Sequence, residues 1–109
     1  MTPLAYLLQR GTAAVMLPLV IGHFAVIIIA VQGGLSAEEI LARTRGNLGW
    51  GLFYGLFVLA AAIHAGIGMQ AILREWLSMP AKGAAIAGHG FMLVLMLLGA
   101  AAIYGVVWS

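Results

Sequence analysis

Cysteine is absent from the 109 residues, which removes disulfides, iron–sulfur ligation and thiolate chemistry from this chain. Charge is scarce too. Five basic and three acidic side chains make up 7% of the sequence, where a soluble domain carries charge at roughly a quarter of its positions. The basic residues form no patch of the kind that tracks nucleic acid, so no nucleic-acid partner is expected. Deep charge is missing as well, and an ion-coupled transporter needs a midplane carboxylate or lysine. The first apolar run carries no A-x-A-like cleavage site and is longer than a signal core, so it is expected to be a span rather than a secretory leader. An Arg- and Ser-rich organelle presequence is missing, and neither internal repeats nor low-complexity segments are visible.

What is present is apolar length. Hydrophobic residues make up 64% of the chain, and the few charges divide it into three uncharged runs, Gly11 to Gln32, Gly46 to Leu73 and Gly83 to Ser109. Each exceeds the roughly 20 residues a helix needs to cross a hydrocarbon core. A soluble chain this small has no core large enough to hide such helices. The expected fold is therefore all-α: an integral membrane protein, one domain over residues 1–109, with three transmembrane helices in an up-down-up bundle. The helices are expected at about residues 6–32, 49–76 and 82–107. Pro18 falls inside the first and should kink it, a defect tolerated in a membrane because neighbours re-satisfy the freed carbonyl. Gly33-Gly34 ends that helix, and Ser36-Ala37-Glu38-Glu39 resembles a capping box that starts a short surface helix. Pro80 closes the turn before the third span. Trp50, Tyr54, Trp76, Tyr104 and Trp108 lie near helix ends, where an aromatic belt would place them. Arg10, Arg74 and Lys82 collect on one side against Arg43 and Arg45 on the other, which predicts a cytoplasmic N-terminus and an outside C-terminus.

Gly and Ala are abundant in all three spans. Gly51-x-x-x-Gly55 is a small-x-x-x-small pattern that permits close helix approach, although membrane helices are rich in Gly in any case. Three helices make a small bundle, and a partner in the membrane is expected to complete it. The titratable groups within the spans are His23, His64 and His89, one per helix. A buried imidazole usually faces protein or a cofactor. The face around His64 reads Ala60, Ala61, Gly68 and Ala71, with Ile67 as its branched member; it is shallow enough for a flat macrocycle. His89 has Ala85, Ile86, Met92 and Leu93 nearby, whereas His23 has the bulky Leu19, Val20, Val26 and Ile27. On these faces alone, a ligand and a helix-to-helix hydrogen bond both remain open for His64.

The segment from His64 to Trp76, His-Ala-Gly-Ile-Gly-Met-Gln-Ala-Ile-Leu-Arg-Glu-Trp, resembles the second-helix motif of succinate dehydrogenase membrane anchor subunits. In that family a His followed four residues later by Gly, then by an acidic residue at the helix end, marks the haem b ligand helix. The His64–Met69 wording is most similar to the smaller of the two anchors. Leu7-Leu8-Gln9-Arg10-Gly11-Thr12-Ala13 resembles the start of the family's first helix, where an Arg lies near the haem propionates and quinone. The likeness spans nearly the whole chain.

By this resemblance, His64 would be one axial ligand to haem iron, the other coming from a second membrane anchor subunit. Arg10 would meet a haem propionate or quinone, as a guanidinium suits a carboxylate, or serve as an ordinary cytoplasmic-side anchor. Glu75 takes the place of the family's acidic residue. Trp76 stands where the family has a quinone-bonding Tyr; its indole N–H can bond a quinone carbonyl, though it cannot donate a proton as a phenol does. Some relatives hold two haems, and His23 would then ligate the second. One haem b is expected, with two as the alternative. His89 has no counterpart. The implied partners are that second anchor, an iron–sulfur subunit, a flavoprotein subunit, quinone and the lipid bilayer, in a bacterial cytoplasmic membrane. The implied role is electron transfer from succinate to quinone through a subunit that is not catalytic alone. A fumarate reductase anchor, an anchor for another flavin-linked dehydrogenase and a haem-free structural subunit are the alternatives.

Overall fold

The computed structural model describes residues 2–108. Thr2 caps the first helix, its side chain accepting from the Ala5 amide at 3.1 Å, and Pro3 occupies the first turn, where its missing N–H is no loss. Helix α1 then runs Pro3–Gly33, continuing through Pro18. It stops at Gly34, whose φ of 115° is outside the range a side chain tolerates and whose missing Cβ leaves room for the Glu39 carboxylate. The short helix α2 spans Ala37–Thr44. Half of the capping box forms: the Glu39 amide donates to Ser36 Oγ at 3.1 Å, while the Glu39 carboxylate accepts from the Ser36 hydroxyl at 2.9 Å rather than from the Ser36 backbone N–H. Arg43 donates back to the Gly34 carbonyl at 3.1 Å and ties α2 to the end of α1.

Asn47 caps α3, Leu48–Trp76, by accepting from the Trp50 amide. After a turn through Ser78, which has a positive φ of 52°, α4 runs Ala81–Ile103 and widens into a π-helical turn at Tyr104–Trp108. The last carbonyls of a helix lack partners within it. Here the connection after α2 supplies them, since the Thr44 hydroxyl donates to the Val106 carbonyl and the Gly46 amide to that of Val107, each at 2.6 Å.

Helix α3 is central. It runs antiparallel to α1, with Gln9 beside Gly68 and Gly22 beside Phe53. It is also antiparallel to α4, with Gly66 beside Gly88, Val58 beside Gly99 and Gly51 beneath Trp108. The three long helices therefore form an up-down-up bundle, and among the described residues there is no strand. Each of the three is long and apolar enough to span a membrane.

Small residues bring α3 and α4 together. Ala60, Ala62 and Ala84 are buried, and a Cβ on Gly88 would lie 2.7 Å from the Gly66 carbonyl oxygen. The Gly51/Gly55 pattern is not the contact face as a pair: Gly51 lies against Trp108, while nothing comes within 4 Å of a Cβ at Gly55. Leucine, isoleucine, valine and phenylalanine remain exposed along α1, α3 and α4, as suits a surface facing lipid or another membrane subunit.

Candidate functional site

His64 lies sixteen residues into α3 and twelve from its end, so by helical rise it is about 24 Å and about 18 Å from the two termini. That depth places it inside the span, on the α1 side of the helix. Its Nδ1 is 3.3 Å from Thr12 Oγ1. The Thr12 hydroxyl also lies 2.6 Å from the Leu8 carbonyl and 3.2 Å from that of Gln9. The other imidazole nitrogen, Nε2, has no hydrogen bond and is not among the buried polar atoms left without a partner, so it reaches the surface of the helix pair. Ala61, Ala65 and Gly68 leave the adjoining surface shallow, and Gln9 reaches from α1 to lie against Gly68 on α3. A single imidazole nitrogen on a shallow intramembrane surface can coordinate a metal carried by another group. It cannot hold a bare ion alone, and among the described residues no three His, Asp or Glu side chains converge to do so.

The other predicted positions separate in space. His23 is on the same α1–α3 interface, eleven residues beyond Thr12 and therefore about 16 Å along the helix axis. Its ring meets Tyr54 and Phe57 edge-on at centroid distances of 6.1 and 5.2 Å, and its Nδ1 is buried without a partner. His89 is on α4, exposed. Arg10 is exposed near the N-terminal end of α1, with its guanidinium 5.6 Å from the centre of the Tyr6 ring. Trp76, at the last residue of α3, is 81% exposed.

A cleft of about 720 Å³ opens at the end of the bundle where α1 begins, α3 ends and α4 begins. Thr2 and Ala5 form one wall, Ala85 the other, and Gln70, Arg74 and Glu75 supply its polar groups. Glu75 was singled out from the motif and lines the cleft; Arg10 and Trp76 do not. Sequence reasoning missed Gln9 and Thr12. Their signal was three-residue spacing, which puts two polar side chains on one helical face while Arg10 turns away.

Three long apolar helices with a mid-span imidazole and a polar cleft at one end define a multi-pass, all-α membrane protein. Comparison with known proteins narrows this. The sequence matches the family of succinate dehydrogenase/fumarate reductase transmembrane subunits over residues 2–103. A stretch of 73 residues, 67% of the chain, is 34% identical to the succinate dehydrogenase hydrophobic membrane anchor subunit of Archaeoglobus fulgidus and spans 62% of that relative's length. No solved structure gives a significant match. The chain belongs to the family of succinate dehydrogenase/fumarate reductase transmembrane subunits.

Proposed function

We propose that this chain anchors a succinate:quinone oxidoreductase in the cytoplasmic membrane of a bacterium and contributes His64 as one axial ligand to a single haem b. The carrying observation is the mid-span imidazole whose Nε2 is free at a shallow surface. A second membrane anchor would supply the other ligand, since His23 lies about 16 Å along α1 from the Thr12 that meets His64, and His89 is exposed on α4. When bound, the haem would supply one-electron transfer between an iron–sulfur subunit and quinone. The protein sets ligand identity, ring orientation and the surrounding dielectric.

The end cleft is suited to the quinone head group. Gln70 offers an amide donor and Arg74 a guanidinium, beside the Glu75 carboxylate and the Thr2 hydroxyl, with Ala5, Ile67, Ala71, Ala81 and Ala85 as the apolar part of the lining. It opens at the end that carries Arg74 and Lys82, the side expected to face the cytoplasm, where an iron–sulfur subunit attached to a flavoprotein would dock. Arg10, exposed near the same end and not part of the cleft lining, would meet a propionate at the edge of the helix pair. Trp76 projects outward and fits an interfacial belt or a partner contact better than a wall of the quinone site. His23 supports a single haem because its second nitrogen has no acceptor, whereas ligating imidazoles almost always donate from theirs.

The test is a reduced-minus-oxidised spectrum with haem quantitation on the complex purified through this subunit. One haem b per complex is expected in the parent and loss of the b-type signal in His64→Ala. An unchanged spectrum in that variant would sink the assignment. A second reading, fumarate reduction, uses the same subunit architecture and is covered by the family description. Identifying the quinone that co-purifies separates the directions, a menaquinone favouring fumarate reduction.

A further inference from the structure

We propose that Thr12 is the positioning residue for His64: its hydroxyl oxygen accepts a hydrogen bond from Nδ1–H and so fixes the tautomer whose Nε2 lone pair stays free. This rests on the reading of His64 as an axial ligand. The position of one proton decides the tautomer. A threonine hydroxyl has a single hydrogen to donate, and a backbone carbonyl oxygen can only accept. At 2.6 Å the Leu8 carbonyl is in the short range for O–H···O, and the Gln9 carbonyl at 3.2 Å is a weaker share of the same hydrogen. The hydrogen therefore points along α1 to its own backbone. What Thr12 turns toward His64 is oxygen lone pair, and the 3.3 Å contact is favourable only with the proton on Nδ1. A neutral imidazole with its proton on Nδ1 carries its basic lone pair on Nε2, the nitrogen that reaches the surface.

The device does more than choose a tautomer. It joins α1 to α3 at the ligand, so the imidazole plane is set by the packing of two helices rather than by one side-chain torsion. A donor hydrogen bond from the far nitrogen also makes the ligating nitrogen more basic, which stabilises the ferric state. His23 is an internal contrast. It occupies the same interface and its Nδ1 is buried, yet no oxygen is placed to receive a proton there.

The experiment compares Thr12→Val, which keeps the shape and removes the oxygen, with Thr12→Ser, which keeps the oxygen, and with Thr12→Ala. All are measured in the assembled complex beside His64→Ala. The readouts are the haem midpoint potential and the low-temperature electron paramagnetic resonance spectrum of the ferric haem, whose anisotropy follows imidazole orientation. Val should raise the potential and alter the anisotropy, and Ser should restore both toward the parent. If Val prevents assembly, Ala must show the same upward shift. Parental potential and spectrum in every assembled variant lacking the hydroxyl would overturn the role of Thr12 while loss of haem in His64→Ala still upheld the ligand. Full haem in His64→Ala would overturn the ligand reading, and this proposal with it.

Discussion

An imidazole inside a membrane has two nitrogens to satisfy, and the three histidines of this chain meet that demand in different ways. His64 has Thr12 for one nitrogen and the open surface for the other. His23 leaves Nδ1 buried without a partner between aromatic neighbours. His23→Phe should therefore retain the full haem b content of the complex and match or exceed its thermal stability, since a buried polar atom without a partner costs roughly 1–3 kcal/mol. Haem quantitation checks this, and loss of half the haem would make His23 a ligand. The His64 position was legible in the sequence because the His-x-x-x-Gly spacing and the small residues around it share one helical face. Thr12 and Gln9 were not, because their importance depends on which face of α1 meets α3. That is decided by packing across fifty residues of sequence rather than by anything local.

Helix ends in this chain are written locally and helix crossings are not. Ser36 with Glu39 and Gly34 at the end of α1 each act through residues at most five apart, so the sequence alone places them, whereas the Thr2 cap and Pro3 start α1 a few residues before the expected residue 6. The π-helical turn at Tyr104–Trp108 is different. The Thr44 hydroxyl and the Gly46 amide bond its carbonyls from about sixty residues away, and no periodicity within the turn announces that. The α3–α4 crossing shows the same limit. A small-x-x-x-small pattern on one helix names no partner, and the closest approach falls at Gly66 and Gly88 on different helices instead of at Gly51 and Gly55. At Gly88 a new methyl group would meet the Gly66 carbonyl oxygen and the Gln70 side chain, and backbone cannot rotate aside. Gly88→Ala should destabilise the subunit by about 1–3 kcal/mol through overpacking. Gly90→Ala, where nothing lies within 4 Å, is the control and should leave the thermal unfolding of the purified complex near the parent value.

The molecule as a whole is built on three long helices, and among the described residues α3 alone of these packs against both of the others. Its buried apolar side chains are few and small, Ala60, Ala62, Ile67, Ala84 and Val107. Lipid covers an apolar surface without ordering it, so the proposed second anchor would add specificity to helices held by so few close contacts by packing along α1 or α4. The same architecture sets up the topology. Antiparallel packing puts the start of α1, the end of α3 and the start of α4 at one end, with α2 at the other. Arg74 and Lys82 then share the cleft end, and Arg43 and Arg45 the α2 end, so a two-sided assay reports the orientation of every element at once. The absence of cysteine makes that assay clean, because each introduced thiol is the only one in the chain. Glu38→Cys on α2 should react with a membrane-impermeant maleimide on intact spheroplasts. Leu77→Cys, after α3, should react only once the membrane is opened and the soluble subunits are stripped. The reverse pattern would place the cleft on the outer face, away from any cytoplasmic electron donor, and would remove the quinone role assigned to it while leaving membership of the family untouched.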